Sequence, residues 1–142
     1  MTISPRHLTK DYAVFGQIAA TDLVQLKAMG FRSIINNRPD GEEPNQQLQQ
    51  ALAEAAADLG LGYAYIPVSG AITIGQTQDM QAALENLPAP VLGFCRSGAR
   101  STRIWAHAQQ GKMDTNTVLA AAKNAGCDVV SLQAELQQAT GE

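Results

Sequence analysis

Long apolar runs, clustered cysteines and basic stripes are all missing from this chain, and each absence removes a class of function. No part of the 142 residues is apolar over the length that a bilayer crossing requires. The opening Met1-Thr2-Ile3-Ser4-Pro5-Arg6 lacks the apolar core of a signal peptide. Only two cysteines occur, Cys95 and Cys127, too far apart in sequence to form a disulfide scaffold or a metal-ligand cluster. The two histidines, His7 and His107, have no partner at ligand or catalytic-dyad spacing. Ten Lys and Arg against 13 Asp and Glu give a net charge of −3, and no basic stripe runs along the chain, which argues against nucleic acid as a partner. The expectation is one domain over residues 1–142 with a real hydrophobic core, in a reducing cytoplasm, away from membranes, with no metal and no cofactor.

A local absence is more informative. No Asp or Glu occurs between Glu85 and Asp114, yet Arg96, Arg100 and Arg103 all lie there. The same stretch begins with Val91-Leu92-Gly93-Phe94, a short apolar run that reads as a buried parallel strand. It stops at Cys95, and Gly98 supplies a position where the backbone can take a positive φ. From Ser101 the pattern turns helical, with Ile104, Trp105 and Ala108 on one face and Gly111 as the stop. Strand, tight loop, helix N-terminus: this order aims the amides of Arg96, Ser97, Gly98, Ala99 and Arg100 into one concavity. Such a nest binds anions, and it favours the thiolate form of a cysteine placed in it.

Candidate roles follow from residue type. Cys95 is the candidate nucleophile, and the Arg100 guanidinium has the fork that matches two oxygens of a phosphate or sulfonate. Arg96 points either to the anion or to solvent. Ser101 either caps the helix or stabilises the leaving thiolate, and the two roles are compatible. Arg38 is a second anion contact or a loop stabiliser paired with Asp40, Glu42 or Glu43. Cys127 and His107 receive no role.

The rest of the chain alternates strands with helices. Strands are expected over 12–17, at a sheet edge, and over 31–36, 63–68 and 91–94. Helices are expected over 21–29, 45–59, 77–87, from 101 to about 108, 115–124 and 131–138, with residues 1–10 as a lead-in. Short connections and apolar inner strands predict an α/β fold: a mainly parallel sheet of four to five strands flanked by helices. Ligands in such sheets sit beyond the carboxyl ends of the strands. Cys95, the Arg38 loop and the Ser69 loop all follow strand ends and are expected to converge.

Cys95-x-x-Gly98-x-Arg100-Ser101 resembles two known loops. One is the rhodanese-type sulfurtransferase loop, a Cys followed by four residues and Arg, which carries a persulfide. The other is the protein-tyrosine and dual-specificity phosphatase loop, His-Cys, five residues, Arg and then Ser or Thr. Here that loop is one residue short, and Phe94 stands at the His position. Together with 31–42 (Phe-Arg-Ser-Ile-Ile-Asn-Asn-Arg-Pro-Asp-Gly-Glu) and Tyr65-Ile66-Pro67-Val68, the chain resembles one bacterial family. This is the phosphatase-like domain of β-lactamase-hydrolase-like proteins, of DUF442 type, also found joined to metallo-β-lactamase-like persulfide dioxygenases. The resemblance implies a dual-specificity-phosphatase-like fold and a part in moving sulfane sulfur, with a persulfide dioxygenase or a thiol acceptor as partner.

Residue chemistry separates the reactions. A cysteine phosphatase needs an acid for its leaving alkoxide, and the loop at 67–75 contains no carboxylate; Asp79 is the nearest. Sulfane-sulfur transfer needs no acid, because sulfite or a thiolate leaves unaided. The leading expectation is therefore a sulfurtransferase carrying a persulfide on Cys95, using a small anionic sulfur donor. Phosphoester hydrolysis through a phosphocysteine is the alternative. A non-catalytic anion-binding or redox-sensing module is the third reading.

Overall fold

Val91–Phe94 is the middle strand of a five-stranded sheet, fully buried on both sides. The computed structural model describes residues 3–139. In chain order the elements are β1 (Arg6–Thr9), β2 (Tyr12–Phe15), α1 (Asp22–Ala28), β3 (Ser33–Asn36), α2 (Gln49–Asp58) and β4 (Gly62–Tyr65). They continue with α3 (Ile74–Asn86), β5 (Val91–Phe94), α4 (Ala99–Ala108), α5 (Thr115–Asn124) and α6 (Val129–Ala139). The spatial order is β1-β2-β5-β3-β4. β2, β5, β3 and β4 run parallel, and β1 pairs antiparallel with β2. Four carboxyl ends therefore share one edge, and Cys95 lies directly beyond the central one. Among the described residues, no helix is long and apolar enough to cross a membrane.

Strand alternation sends neighbouring side chains to opposite faces. Ala13, Ile34, Leu92 and Phe94 pack with Leu23 and Leu26 of α1 and Leu52 and Ala56 of α2. Tyr12, Val14, Ile35 and Val91 face Met80 of α3, Ile104 and Trp105 of α4, Val118 of α5 and Leu132 of α6. Phe94 is thus a core residue on the α1/α2 face, and its side chain is fully buried there. The helix that carries the loop arginines, α4, is buried against the other face. Tyr12 sets its height: the ring stacks on Trp105 at 6.1 Å, and the hydroxyl donates to the Ser101 carbonyl at 3.0 Å. That ring crosses β5 at Gly93, where any Cβ would collide with the Tyr12 hydroxyl. Gly93→Ala is expected to cost about 1–3 kcal/mol by overpacking, read as a lower urea midpoint with an unchanged slope.

Several boundaries differ from the sequence expectation. Residues 6–9, expected as lead-in, form the antiparallel edge strand β1, so β2 is an inner strand and not the edge. α2 starts at Gln49 and not at Asn45, because Gln46 and Gln47 turn their side chains to backbone groups. Gln46 Oε1 accepts from the Glu42 amide at 3.1 Å, and Gln47 Oε1 from the Ala20 amide at 2.9 Å. α3 starts at Ile74, three residues early, behind a capping box in which Thr73 and Gln76 satisfy each other's amides. β4 ends at Tyr65, three residues before the expected Val68. α4 starts at Ala99, with Gly98 as its cap in place of Ser101.

Candidate active site

β5 ends at Phe94, and the chain turns through Cys95-Arg96-Ser97-Gly98 into α4. Gly98 takes φ +96°, a left-handed conformation that side chains rarely adopt, and a Cβ there would collide with the Arg6 guanidinium. Arg6 donates to the Ser97 carbonyl at 2.7 Å and so braces the loop from behind. Gly16 lets the β2 end approach from the other side: a Cβ on it would sit 2.9 Å from the Arg96 carbonyl. Turned this way, the Gly98 amide donates to Cys95 Sγ at 3.1 Å. The amides opening α4 have no acceptor one turn earlier, so the positive end of the helix faces the same hollow. Cys95 itself is only 1% exposed, at the floor of a loop whose Arg96, Ser97 and Ala99 are open to solvent.

Arg100 projects from the first turn of α4 back over this floor. Its Nη1 and Nη2 donate to Glu42 Oε2 and Oε1 at 2.7 and 2.9 Å, and Nη1 also donates to the Val68 carbonyl at 2.8 Å. The guanidinium pKa is raised above its ordinary value, first by the Glu42 hydrogen bonds, against burial. The charge of a Cys95 thiolate acts in the same direction.

Glu42 is shared. Arg38, buried at 3% exposure, donates from Nε to Glu42 Oε1 at 2.9 Å and from Nη1 to Gln17 Oε1 at 2.9 Å. Arg38 Nη2 lies 3.2 Å from Glu43 Oε1, which in turn lies 3.2 Å from Arg96 Nη2. The result is one chain of charges, Arg96–Glu43–Arg38–Glu42–Arg100, around the mouth of the loop. The Arg100 hydrogen bonds, with Arg38 behind them and burial opposing, hold the Glu42 carboxyl down to about 2 from an ordinary 4.5. Folded Glu42 therefore takes up its proton later than the unfolded chain does. Its contribution to stability is complete above about pH 4.5 and disappears as the pH falls towards about 2. Wild type should lose stability through that window in acid urea titrations, and Glu42→Gln should lack that component of the loss.

The loop arrangement brings together Cys95, Arg96, Ser97, Gly98, Ala99, Arg100 and Arg38, all expected from the sequence. Arg38 serves both as a loop stabiliser and as a neighbour of the mouth. Ser101 is fully buried; its hydroxyl donates to Asn37 Oδ1 at 2.7 Å. Arg103 leaves the group: it turns to Glu135 at 3.0 Å and to the Gly70 carbonyl at 3.3 Å. His107, buried on the same helix, pairs with Glu135 at 2.6 Å and stays away from the mouth. Burial, then the charge of Asp128, pushes the Cys127 thiol up, opposite to what a nucleophile needs.

Asn37, not singled out from the sequence, is the knot of the site. Its amide donates to the Phe94 carbonyl at 2.8 Å, its Nδ2 to the Ile66 carbonyl at 2.9 Å, and its carbonyl accepts from Val68 at 3.0 Å. With the Ser101 bond, one side chain and its backbone tie β3, β5, the end of β4 and α4 together.

A central parallel strand, a Cys loop, and an Arg on the following helix define a protein of the protein-tyrosine and dual-specificity phosphatase fold. The solved structures agree. A candidate phosphatase from Neisseria meningitidis superposes with a TM-score of 0.80 at 24% identity, over 94% of this chain and 96% of its own. The kinase associated phosphatase, with serine replacing its catalytic-site cysteine, does so at 0.72 and 14% identity, over 99% and 97%. Within that fold the chain belongs to the family described as the phosphatase-like domain of beta-lactamase hydrolase-like proteins, whose model matches residues 4–112. The beta-lactamase hydrolase-like protein of Xylella fastidiosa is 38% identical over 120 residues, 82% of this chain and 28% of the relative. The chain thus spans a little over a quarter of the curated relative's length. The family description and both of these solved structures carry phosphatase or phosphatase-like names.

Proposed function

We propose that this chain is a cysteine-dependent phosphatase-like hydrolase with Cys95 as its nucleophile. The observation that carries the proposal is the Gly98 amide at 3.1 Å from Cys95 Sγ, in a loop followed by a helix whose first turn carries Arg100. Amides and a planar cation converge where a tetrahedral oxyanion would lie over the thiolate. The Cys95 thiolate attacks phosphorus, the bond to the leaving oxygen breaks, and that oxygen departs with the electron pair. Water then attacks the phosphocysteine, releasing phosphate, a proton and the thiolate.

The leaving group has little help. The 67–75 loop carries no carboxylate, and Asp79 is exposed in the second turn of α3. Glu42 is ionised at neutral pH between two arginines and has no proton to give. The substrate class that suits this site has leaving groups stable as anions: aryl phosphates, acyl phosphates and phosphoanhydrides. In a series of phosphate monoesters, kcat/KM should fall steeply as leaving-group pKa rises. Alkyl esters should trail aryl esters by about 10²–10⁴, the usual worth of a general acid. Equal rates for alkyl and aryl esters would mean that an acid is at work and would refute this assignment.

The same missing acid supports a second reading, sulfane-sulfur transfer. The thiolate would attack the outer sulfur of a donor, the sulfur–sulfur bond would break, and sulfite or a thiolate would leave with the pair. A thiol or a persulfide dioxygenase would then accept the sulfur. Thiosulfate and glutathione persulfide, run beside an aryl phosphate, separate the two.

A further inference from the structure

We infer that the cleft beside the Cys95 loop is a subsite for a second anionic group of the substrate, bound by Arg38 and Arg96 in the place that the Glu43 carboxylate now fills. The inference rests on the proposed reading that the loop itself holds the reacting phosphoryl group. The cleft, about 710 Å³, is lined by Gln17, Arg38, Glu43, Gln46, Gln47 and Arg96 among others. It adjoins the mouth, because Arg96 directly follows Cys95.

Three observations carry it. Arg38 has its Nε and Nη1 committed to Glu42 and Gln17, but the buried Nη2 makes no hydrogen bond. It only approaches Glu43 Oε1, at 3.2 Å and without hydrogen-bonding direction. A buried guanidinium N–H left without an acceptor is unfavourable, and a better-placed oxyanion would relieve it. Second, Arg96 is 71% exposed and has the same Glu43 oxygen as its ion-pair partner, at 3.2 Å. Third, Glu43 is itself about half exposed, on a turn whose amide is held by Gln46, so its side chain can swing out without unfolding anything. One carboxylate oxygen between two guanidinium groups occupies the position of a ligand oxygen. Asp22 also lines the cleft and would repel an anion, but its Oδ2 accepts from the Ala19 amide at 2.8 Å. The second group therefore belongs at the Arg96 end. Its chemistry is phosphate or carboxylate, and the substrate class narrows to compounds carrying a second oxyanion close to the reacting one, such as phosphoanhydrides.

The test is calorimetric titration of the full chain carrying Cys95→Ser, which binds without turnover. The probes are inorganic phosphate, methylenebisphosphonate and phosphonoacetate; the last carries a carboxylate as its second group. Methylenebisphosphonate should bind about 10-fold or more tighter than phosphate, with phosphonoacetate between them if a carboxylate also serves. Phosphonoacetate no better than phosphate would assign the subsite to a second phosphoryl group alone. Adding Glu43→Gln should widen the bisphosphonate-to-phosphate ratio several-fold, about 3-fold or more, and Arg96→Ala should bring it close to 1. Glu54→Gln, which removes the same charge from an exposed position on α2, should leave the ratio alone. A ratio that Glu43→Gln and Arg96→Ala do not change, or that Glu54→Gln changes equally, overturns the subsite. Phosphate failing to bind while bisphosphonate binds in an Arg96-dependent way would sink the loop reading and keep the subsite. Neither binding would sink both.

Discussion

Cys95→Ser is expected to bring turnover down to the detection floor, a loss on the order of 10⁶ if it behaves as other covalent nucleophiles do. The reason lies in the floor of the loop. A serine hydroxyl there would keep the Gly98 amide as a neighbour, yet it ionises far above neutral pH, and no base stands beside it. The carboxylates around the mouth, Glu42 and Glu43, are engaged by Arg38, Arg96 and Arg100. Because the loop is braced by Arg6 and by the Gly98 turn rather than by the thiol, folding and anion binding should survive. Cys127→Ser, which changes a thiol whose pKa is pushed up, should keep wild-type kinetics. Steady-state rates on an aryl phosphate, with melting temperatures for all three proteins, check the pair of outcomes.

Arg100→Lys should lower kcat/KM by about 10²–10³, the scale of losing one oriented donor to a developing oxyanion. Charge is conserved in this variant, but the fork is not. Wild-type Arg100 is aimed by three hydrogen bonds, two to Glu42 and one to the Val68 carbonyl. A lysine ammonium can satisfy one of these acceptors, and it cannot span two oxygens of a bound phosphoryl group while doing so. Arg103→Lys is the internal comparison. It lies one helical turn on, faces Glu135 and Gly70, and should stay near wild type. Equal losses in the two variants would mean that replacing either arginine disturbs the site in a general way, and would contradict a special role for the Arg100 fork.

What could be read from residues was set by how local the cause is. The β5 run, the glycine turn and the start of α4 are adjacent in sequence, so Cys95, Gly98 and Arg100 announced themselves together. The parallel order followed from apolar strands joined by helices. β1 was illegible because Arg6–Thr9 holds a single apolar residue, Leu8, and its evidence is its partner, β2. The start of α3 carried a visible sign in Thr73-x-x-Gln76, a capping box that would have placed it three residues earlier. Asn37 and the Glu42–Arg100 pair could not be read, since the latter joins residues 58 apart and exists only once three strand ends meet. Local pattern likewise could not tell that Arg103 faces Glu135 while Arg100 faces Glu42 and the Val68 carbonyl. Reaction type was the least legible of all: one loop serves two chemistries, and the missing acid favours both anionic leaving groups and sulfur.

The most direct measurement is the intact mass of the protein quenched during turnover. With an aryl phosphate, a fraction of wild type should be heavier by one phosphoryl group, and peptide mapping should place it on Cys95. The same addition should appear in Cys127→Ser and be absent from Cys95→Ser. A protein heavier by one sulfur atom after thiosulfate, with no phosphoryl adduct, would transfer the account to the sulfur reading while keeping Cys95 as the carrier. Turnover that continues in Cys95→Ser, or an adduct that maps to Cys127, would contradict it.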